Sequence, residues 1–194
     1  MRIIAGKFKG RRLKTPKTSA IRPTIDRVKE SVFRILQNQI TNAKFLDLCA
    51  GSGSIGLEAI SRGAESVTFV DRHSDAIQLI RCNLHLCGLD TKIHQIQLRK
   101  SSVQKAIKVL GNKSESYDLI YFDPPYDSRI YEGSLRLISE NKLLSRSGLI
   151  CVECSQTNKK IVEVLQLGVG DLRPYNQKCY GDTMLFFYKL EDKS

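Results

Sequence analysis

Short apolar runs and longer amphipathic stretches alternate along most of this chain. Runs at 44–48, 67–70, 92–97, 117–122 and 148–153 have the length and bounding turn residues of buried strands. Amphipathic stretches near 54–62, 74–87, 101–110, 128–140 and 156–166 follow them in turn as helices. Such alternation predicts an α/β fold, a mostly parallel sheet with helices on both faces. Two further runs, roughly 172–179 and 183–190, are separated only by Tyr180-Gly-Asp-Thr183, which predicts a terminal antiparallel pair. Upstream, Asp26 to Gln39 reads as a helix with Val28, Val32, Phe33, Ile35 and Leu36 near one side and Thr24 as its cap. Residues 2–16 alternate apolar and basic positions around Gly6 and Gly10, the pattern of a short hairpin with cations on one face. The chain thus divides into a basic extension, 1–24, and one domain, 25–194.

The first chemical stretch is Phe45-Leu-Asp-Leu-Cys-Ala-Gly-Ser-Gly-Ser-Ile-Gly-Leu-Glu-Ala59, a strand, a glycine turn and the start of a helix. Gly51, Gly53 and Gly56 match G-x-G-x-x-G, which on its own is a weak signal. Two acids sharpen it. Asp47 stands just before the turn, where a fixed carboxylate repels a pyrophosphate and attracts a sulfonium or an α-amino group. Asp71 closes the next strand, 20 residues after Gly51, where a carboxylate accepts hydrogen bonds from ribose hydroxyls. Together they favour S-adenosylmethionine over a dinucleotide.

The second is Tyr117-Asp-Leu-Ile-Tyr-Phe-Asp-Pro-Pro-Tyr126, an apolar strand ending in Asp123. Ligands of open α/β sheets bind outside the carboxyl ends of the strands, so Asp47, Asp71 and Asp123 are expected around one crevice. Pro124 and Pro125 stiffen the loop and leave their carbonyls to accept hydrogen bonds. Tyr126 offers a face for stacking on a base. Asp123 and the Pro124 carbonyl suit the two N–H bonds of an exocyclic nucleobase amine, which aims the nitrogen at an electrophilic methyl.

Composition narrows the partners. The net charge is +11, and residues 1–30 carry ten basic side chains against Asp26 and Glu30. A localised cationic segment fits a polyphosphate partner. No apolar run reaches the roughly 18 residues of a membrane span, and lysines interrupt the first ten residues, so a cytoplasmic protein without a membrane partner is expected. Six cysteines are then expected to be reduced. Cys151-Val-Glu-Cys154 has metal-like spacing but no companion pair, and sits in a strand, so packing is favoured and no metal is expected.

Asp47-x-x-x-Gly51-x-Gly53 followed by Asp123-Pro-Pro-Tyr126 resembles the Rossmann-like amino-methyltransferases. Arg2-Ile-Ile-Ala-Gly6, Lys9-Gly-Arg-Arg-Leu13, Arg22-Pro-Thr24, Arg27-Val-Lys-Glu30 and Tyr180-Gly-Asp-Thr183 narrow the resemblance to the bacterial small-subunit ribosomal RNA guanine-N2 methyltransferase family, the RsmD type. The resemblance implies a seven-stranded class I methyltransferase fold and S-adenosylmethionine as cofactor. It implies transfer of one methyl to the 2-amino group of a specific guanine in 16S ribosomal RNA, free or within the small subunit; a monomer is the plain expectation, apart from the resemblance. By the same resemblance, Asp47, Ala50, Gly51 and Gly53 line the methionine end of the cofactor, Asp71 holds the ribose, and Arg72 lies beside the adenine. Asp123, Pro124 and Tyr126 hold the target base. Lys7, Lys9, Arg11 and Arg12 contact RNA, with Arg22 and Thr24 at the entrance to the pocket. Many relatives carry Asp or Asn after the third strand; here Gln97-Leu-Arg-Lys-Ser-Ser102 leaves the adenine contact to Ser101, Ser102 or the backbone. The alternatives are a DNA adenine-N6 methyltransferase, for which 194 residues leave little room for target recognition, a nicotinamide-dependent oxidoreductase, and a noncatalytic RNA-binding protein.

Overall fold

A computed structural model describes residues 1–16, 23–92, 94–125 and 130–191, with side chains in the first helix from Arg27 onward. Seven strands form one sheet: β1 (Lys44–Leu48), β2 (Ser66–Asp71), β3 (Ile96–Lys100), β4 (Tyr117–Phe122), β5 (Leu144–Ser155), β6 (Leu172–Tyr180) and β7 (Thr183–Leu190). Their order is β3-β2-β1-β4-β5-β7-β6. Strands β1 to β5 are parallel, and β7 runs antiparallel between β5 and β6. The central strands read as unbroken apolar runs because both faces are covered.

Helices α1 (Pro23–Leu36), α2 (Ser54–Ser61) and α3 (Ser74–Leu86) cover one face, burying Phe33, Leu57 and Ile80 with Phe45, Phe69 and Tyr121. Helices α4 (Val103–Asn112), α5 (Tyr131–Glu140) and α6 (Lys159–Leu167) cover the other, burying Ile107, Leu135 and Leu165 with Leu46, Val70 and Phe122. Cys151 belongs to the first layer and Cys154 to the second. Residues three apart on a strand point to opposite faces, so these two thiols pack separately and cannot share a metal ion.

Several boundaries differ from the sequence pattern. Strand β3 begins at Ile96, four residues later than the apparent run at 92–97. Asp90 is the reason: its Oδ1 accepts the Lys92 amide at 2.7 Å and its carbonyl accepts the His94 amide at 3.1 Å, folding that stretch into a turn. Helix α1 starts at Pro23 rather than Asp26, so Thr24 lies in its first turn and is not its cap. Proline suits that start, since its φ is preset and the first helical N–H has no partner in the helix. Helix α6 starts at Lys159, where Asn158 Oδ1 accepts the Ile161 amide at 3.4 Å.

The N-terminal segment is a tight hairpin with one bridge, Arg2 to Arg12, and a cross-strand bond from the Ile3 amide to the Arg11 carbonyl at 3.0 Å. Ile3 and Leu13 are buried in the first layer, while Lys7, Lys9, Arg11 and Arg12 are exposed. The hairpin is fastened to α2. The Ile4 and Ala5 amides donate to the Glu58 carboxylate at 2.8 and 2.9 Å, and the Lys7 amide donates to the Ser61 carbonyl at 2.7 Å. Glu58 is fully buried and also meets Arg62 Nε at 2.8 Å and Lys29 Nζ at 3.6 Å. Lys29, almost as deeply buried, donates to the Arg2 carbonyl at 2.6 Å. A Cβ on Gly6 would stand 1.8 Å from the Ser61 carbonyl oxygen, so only glycine lets the hairpin lie this close to α2.

Candidate active site

Register brings the candidate residues together. Asp47 pairs laterally with Phe69 on one side and Tyr121 on the other, and Tyr121 with Cys151. One pleat further along, Asp71, Asp123 and Glu153 follow Phe69, Tyr121 and Cys151 onto the same face of the sheet. Four carboxyl groups therefore meet on that face at the carboxyl ends of adjacent strands. The strand ends are tied to one another by main-chain bonds: Ala50 N to Val70 O at 3.0 Å, Ser101 N to Asp71 O at 2.9 Å and Asp123 N to Leu48 O at 3.4 Å.

The glycine turn is built around two of the acids. Asp71 Oδ2 accepts the Gly51 amide and Oδ1 the His73 amide, both at 2.9 Å. Each oxygen keeps a second lone pair for a hydroxyl donor. Asp47 Oδ2 accepts the Gly56 amide at 2.9 Å, in the first turn of α2. That carboxyl is 2 % exposed; burial, partly offset by the Gly56 bond and joined by the charge of Asp71, pushes its pKa up to about 7. Cys49 and Gly51 both lie in the left-handed region, at φ 63° and 54°, which turns the chain sharply between strand and helix. Gly56 is required for packing: a Cβ there would stand 2.2 Å from Phe69 Cε1. At Gly51 the nearest atom to such a Cβ is 4.0 Å away, so that side of the turn is open. An open turn bounded by fixed carboxylates fits a cationic group and a ribose, as S-adenosylmethionine carries.

Asp123 follows β4, half-buried, with a pKa raised well above that of an ordinary carboxyl by burial and then by the charges of Glu153 and Asp47. The Tyr121 hydroxyl donates to Glu153 Oε2. The Tyr131 hydroxyl donates to the Glu153 carbonyl at 3.2 Å and reaches the Pro124 carbonyl at 3.5 Å. The latter contact is long for a hydrogen bond and leaves lone-pair capacity on the Pro124 oxygen. Arg72 is exposed at the rim, its Nε on His73 Nε2 at 2.9 Å. Ser101 comes directly after β3, its hydroxyl donating to the Ser102 carbonyl at 3.1 Å. Tyr126 and Arg22, and the side chain of Thr24, lie outside the described residues.

The family model described as "Conserved hypothetical protein 95" matches residues 1–189. The chain belongs to this family, the RsmD family. It is 37% identical over 189 residues to YlbH of Bacillus subtilis, covering 97% of this chain and 98% of that one. It is 36% identical over 153 residues to ribosomal RNA small subunit methyltransferase D of Haemophilus influenzae, covering 79% of this chain and 78% of that one. The solved structure of Escherichia coli yhhF superposes with a TM-score of 0.80 at 28% identity, covering 100% of this chain and 99% of that one.

Within this RsmD-family chain, four site-supporting residues carried no motif. Glu153 is a single acid inside the apolar run Leu149-Ile-Cys-Val-Glu-Cys154, and Tyr121 is the second of two tyrosines in β4. Asn83 is a lone polar residue on an otherwise apolar helix face, and Glu58 is a buried acid in a short helix rich in small and apolar residues. A polar residue at a buried register position is the signal that marks each of them. Among the described residues, no helix is long and apolar enough to cross a membrane.

Proposed function

We propose that this protein is an S-adenosylmethionine-dependent methyltransferase acting on the 2-amino group of a guanine in 16S ribosomal RNA. The observation that carries the proposal is the juxtaposition of Asp123 and Pro124 with the turn of Asp47 and Gly51, on strands β4 and β1 that pair directly. Its family relative in Haemophilus influenzae is a small-subunit ribosomal RNA methyltransferase. The cofactor supplies a methyl group made electrophilic by a positive sulfur. Asp47 holds the cationic methionine end and Asp71 the ribose hydroxyls, with Ala50 and Gly53 completing the turn. Arg72 and Ser101 flank the adenine.

Asp123 and the Pro124 carbonyl each accept one N–H of the guanine amine, fixing the direction of its lone pair, while Tyr126 stacks on the base. The guanine must leave its stack to reach them. When the N–C bond forms and the C–S pair returns to sulfur, nitrogen sheds one proton. Asp123, half-buried and with a raised pKa, is placed to receive it. Lys7, Lys9, Arg11 and Arg12 contact phosphates, and Arg22 and Thr24 shape the entrance between hairpin and pocket. The enzyme works as a monomer in the cytoplasm, on RNA within or destined for the small subunit.

The test is incubation with a labelled methyl donor and undermodified small subunits, followed by nucleoside mass spectrometry. Labelled N2-methylguanosine is expected. Label in adenine of duplex DNA, with none in ribosomal RNA, would overturn the substrate assignment. Asp123→Ala should lose at least about a hundredfold in turnover, while its affinity for S-adenosylhomocysteine stays within a few-fold of wild type.

A further inference from the structure

Asn83 lies in α3, fully buried, between Ile80 and Leu84 of the apolar layer. Its amide makes three hydrogen bonds. Oδ1 accepts the Lys14 amide at 2.8 Å, while Nδ2 donates to the Lys14 carbonyl at 3.0 Å and to the Ser52 carbonyl at 2.9 Å. Lys14 is thus gripped on both its main-chain groups, as a neighbouring strand would grip it. Ser52 is the central residue of the Gly51-Ser52-Gly53 turn.

The other leg of the hairpin reaches the same residue. Ser52 Oγ lies 3.8 Å from Met1 Sδ, and the Met1 carbonyl accepts the Leu13 amide at 3.1 Å. Both legs of the hairpin's open end therefore rest against the glycine turn. The closed end is held by Glu58 and Ser61 on α2, the helix that this turn begins. These bonds tie the segment bearing Lys7, Lys9, Arg11 and Arg12 directly to the segment proposed to line the cofactor. A buried amide tolerates displacement of its partners poorly, because any shift leaves a donor or acceptor unpaired away from water.

We propose that Asn83 is a positioning residue that couples cofactor binding at the glycine turn to RNA binding on the hairpin. Fixing Ser52 with one ligand fixes Lys14 for the other, so each ligand binds more tightly in the presence of the other. The coupling factor is equal in both directions, since it is one free energy shared by two binding equilibria. The inference rests on the placement of RNA on the hairpin proposed above.

Two measurements test it. The first uses the unaltered protein: hydrogen exchange at the Lys14 amide is followed with and without S-adenosylhomocysteine, in the absence of RNA. Slower exchange with the ligand is expected, and an unchanged rate overturns the proposal. The second measures the affinity for small subunits with and without S-adenosylhomocysteine, in wild type and in Asn83→Leu. Wild type should gain about fivefold or more with the ligand. In Asn83→Leu that ratio should fall to about one, even if each ligand binds somewhat more weakly alone. A general loss of rigidity would weaken both affinities without erasing their ratio, so a preserved ratio also overturns the proposal. Glutamine at Lys7, Lys9, Arg11 and Arg12 separates the two ideas. An unaltered salt dependence of subunit binding removes RNA from the hairpin, whereas a flatter one with an unresponsive Lys14 amide removes only the coupling.

Discussion

Substituting Asp47 by Asn tests how the site stores its electrostatics. The carboxyl is buried to 2 % exposure and, mainly through burial, holds its proton to about pH 7 instead of 3.8. Below pH 4 the group is protonated in both the folded and the unfolded chain and contributes no pH dependence. From there upward the unfolded chain releases its proton while the native one keeps it, so stability falls as pH rises and levels off above about 7. A difference of about three pH units corresponds to about 4 kcal/mol of native-state destabilisation at pH 8. Asparagine carries no charge and keeps an oxygen for the Gly56 amide. Asp47→Asn is therefore expected to match wild type near pH 4 and to exceed it by about 2–4 kcal/mol at pH 8. Urea unfolding between pH 4 and 8 measures this directly. Asp123 loses one of the charges that raise its pKa, so its share of the difference has the same sign. The same variant should bind S-adenosylmethionine more weakly, because the carboxylate that destabilises the empty fold is the one proposed to hold the cationic end of the cofactor. A stability difference that is constant across this pH range would refute the reasoning.

Two shorter predictions concern packing and the hairpin clamp. Gly56→Ala places a Cβ 2.2 Å from Phe69 Cε1 and should cost about 1–3 kcal/mol despite better helix propensity. Phe69→Leu in the same chain should recover part of that loss in denaturant unfolding. Glu58→Ala removes the carboxylate that accepts the Ile4 and Ala5 amides and faces Lys29 and Arg62 in the core. A loss of about 3–5 kcal/mol in global stability is expected, together with faster hydrogen exchange at the Ile4 and Ala5 amides.

The central strands were legible because strands buried on both faces must be apolar throughout, and Asp47, Asp71 and Asp123 break or end that pattern at the carboxyl ends of the strands. Strand β3 was not, because it is a sheet edge where only Ile96 is buried, and a turn organised by Asp90 mimics strand alternation just before it. The start of α1 was misplaced because Pro23 opens a helix as well as it ends one. The glycines of the motif serve different ends. At Gly51 the turn is open, but Gly56 exists to let α2 lie against Phe69. Glu58, Asn83 and Glu153 were invisible for a common reason: a polar residue in an apolar element looks the same in sequence whether it faces water or a buried partner tens of residues away. Only the register of β5 against β4 shows that Glu153 stands beside Asp123.

The hairpin is synthesised before everything that holds it. Its partners at Glu58 and Ser61 lie 53 or more residues downstream, and Asn83 lies 69 residues beyond Lys14. During translation, Ile3 and Leu13 must wait uncovered until the third helix has emerged, several seconds at about 5–20 residues per second. Closure over such separations is slow in refolding too, so seating of the hairpin should be among the last events on the folding pathway. A newly made chain would then complete its sheet core first and acquire the grip of its basic arm afterwards.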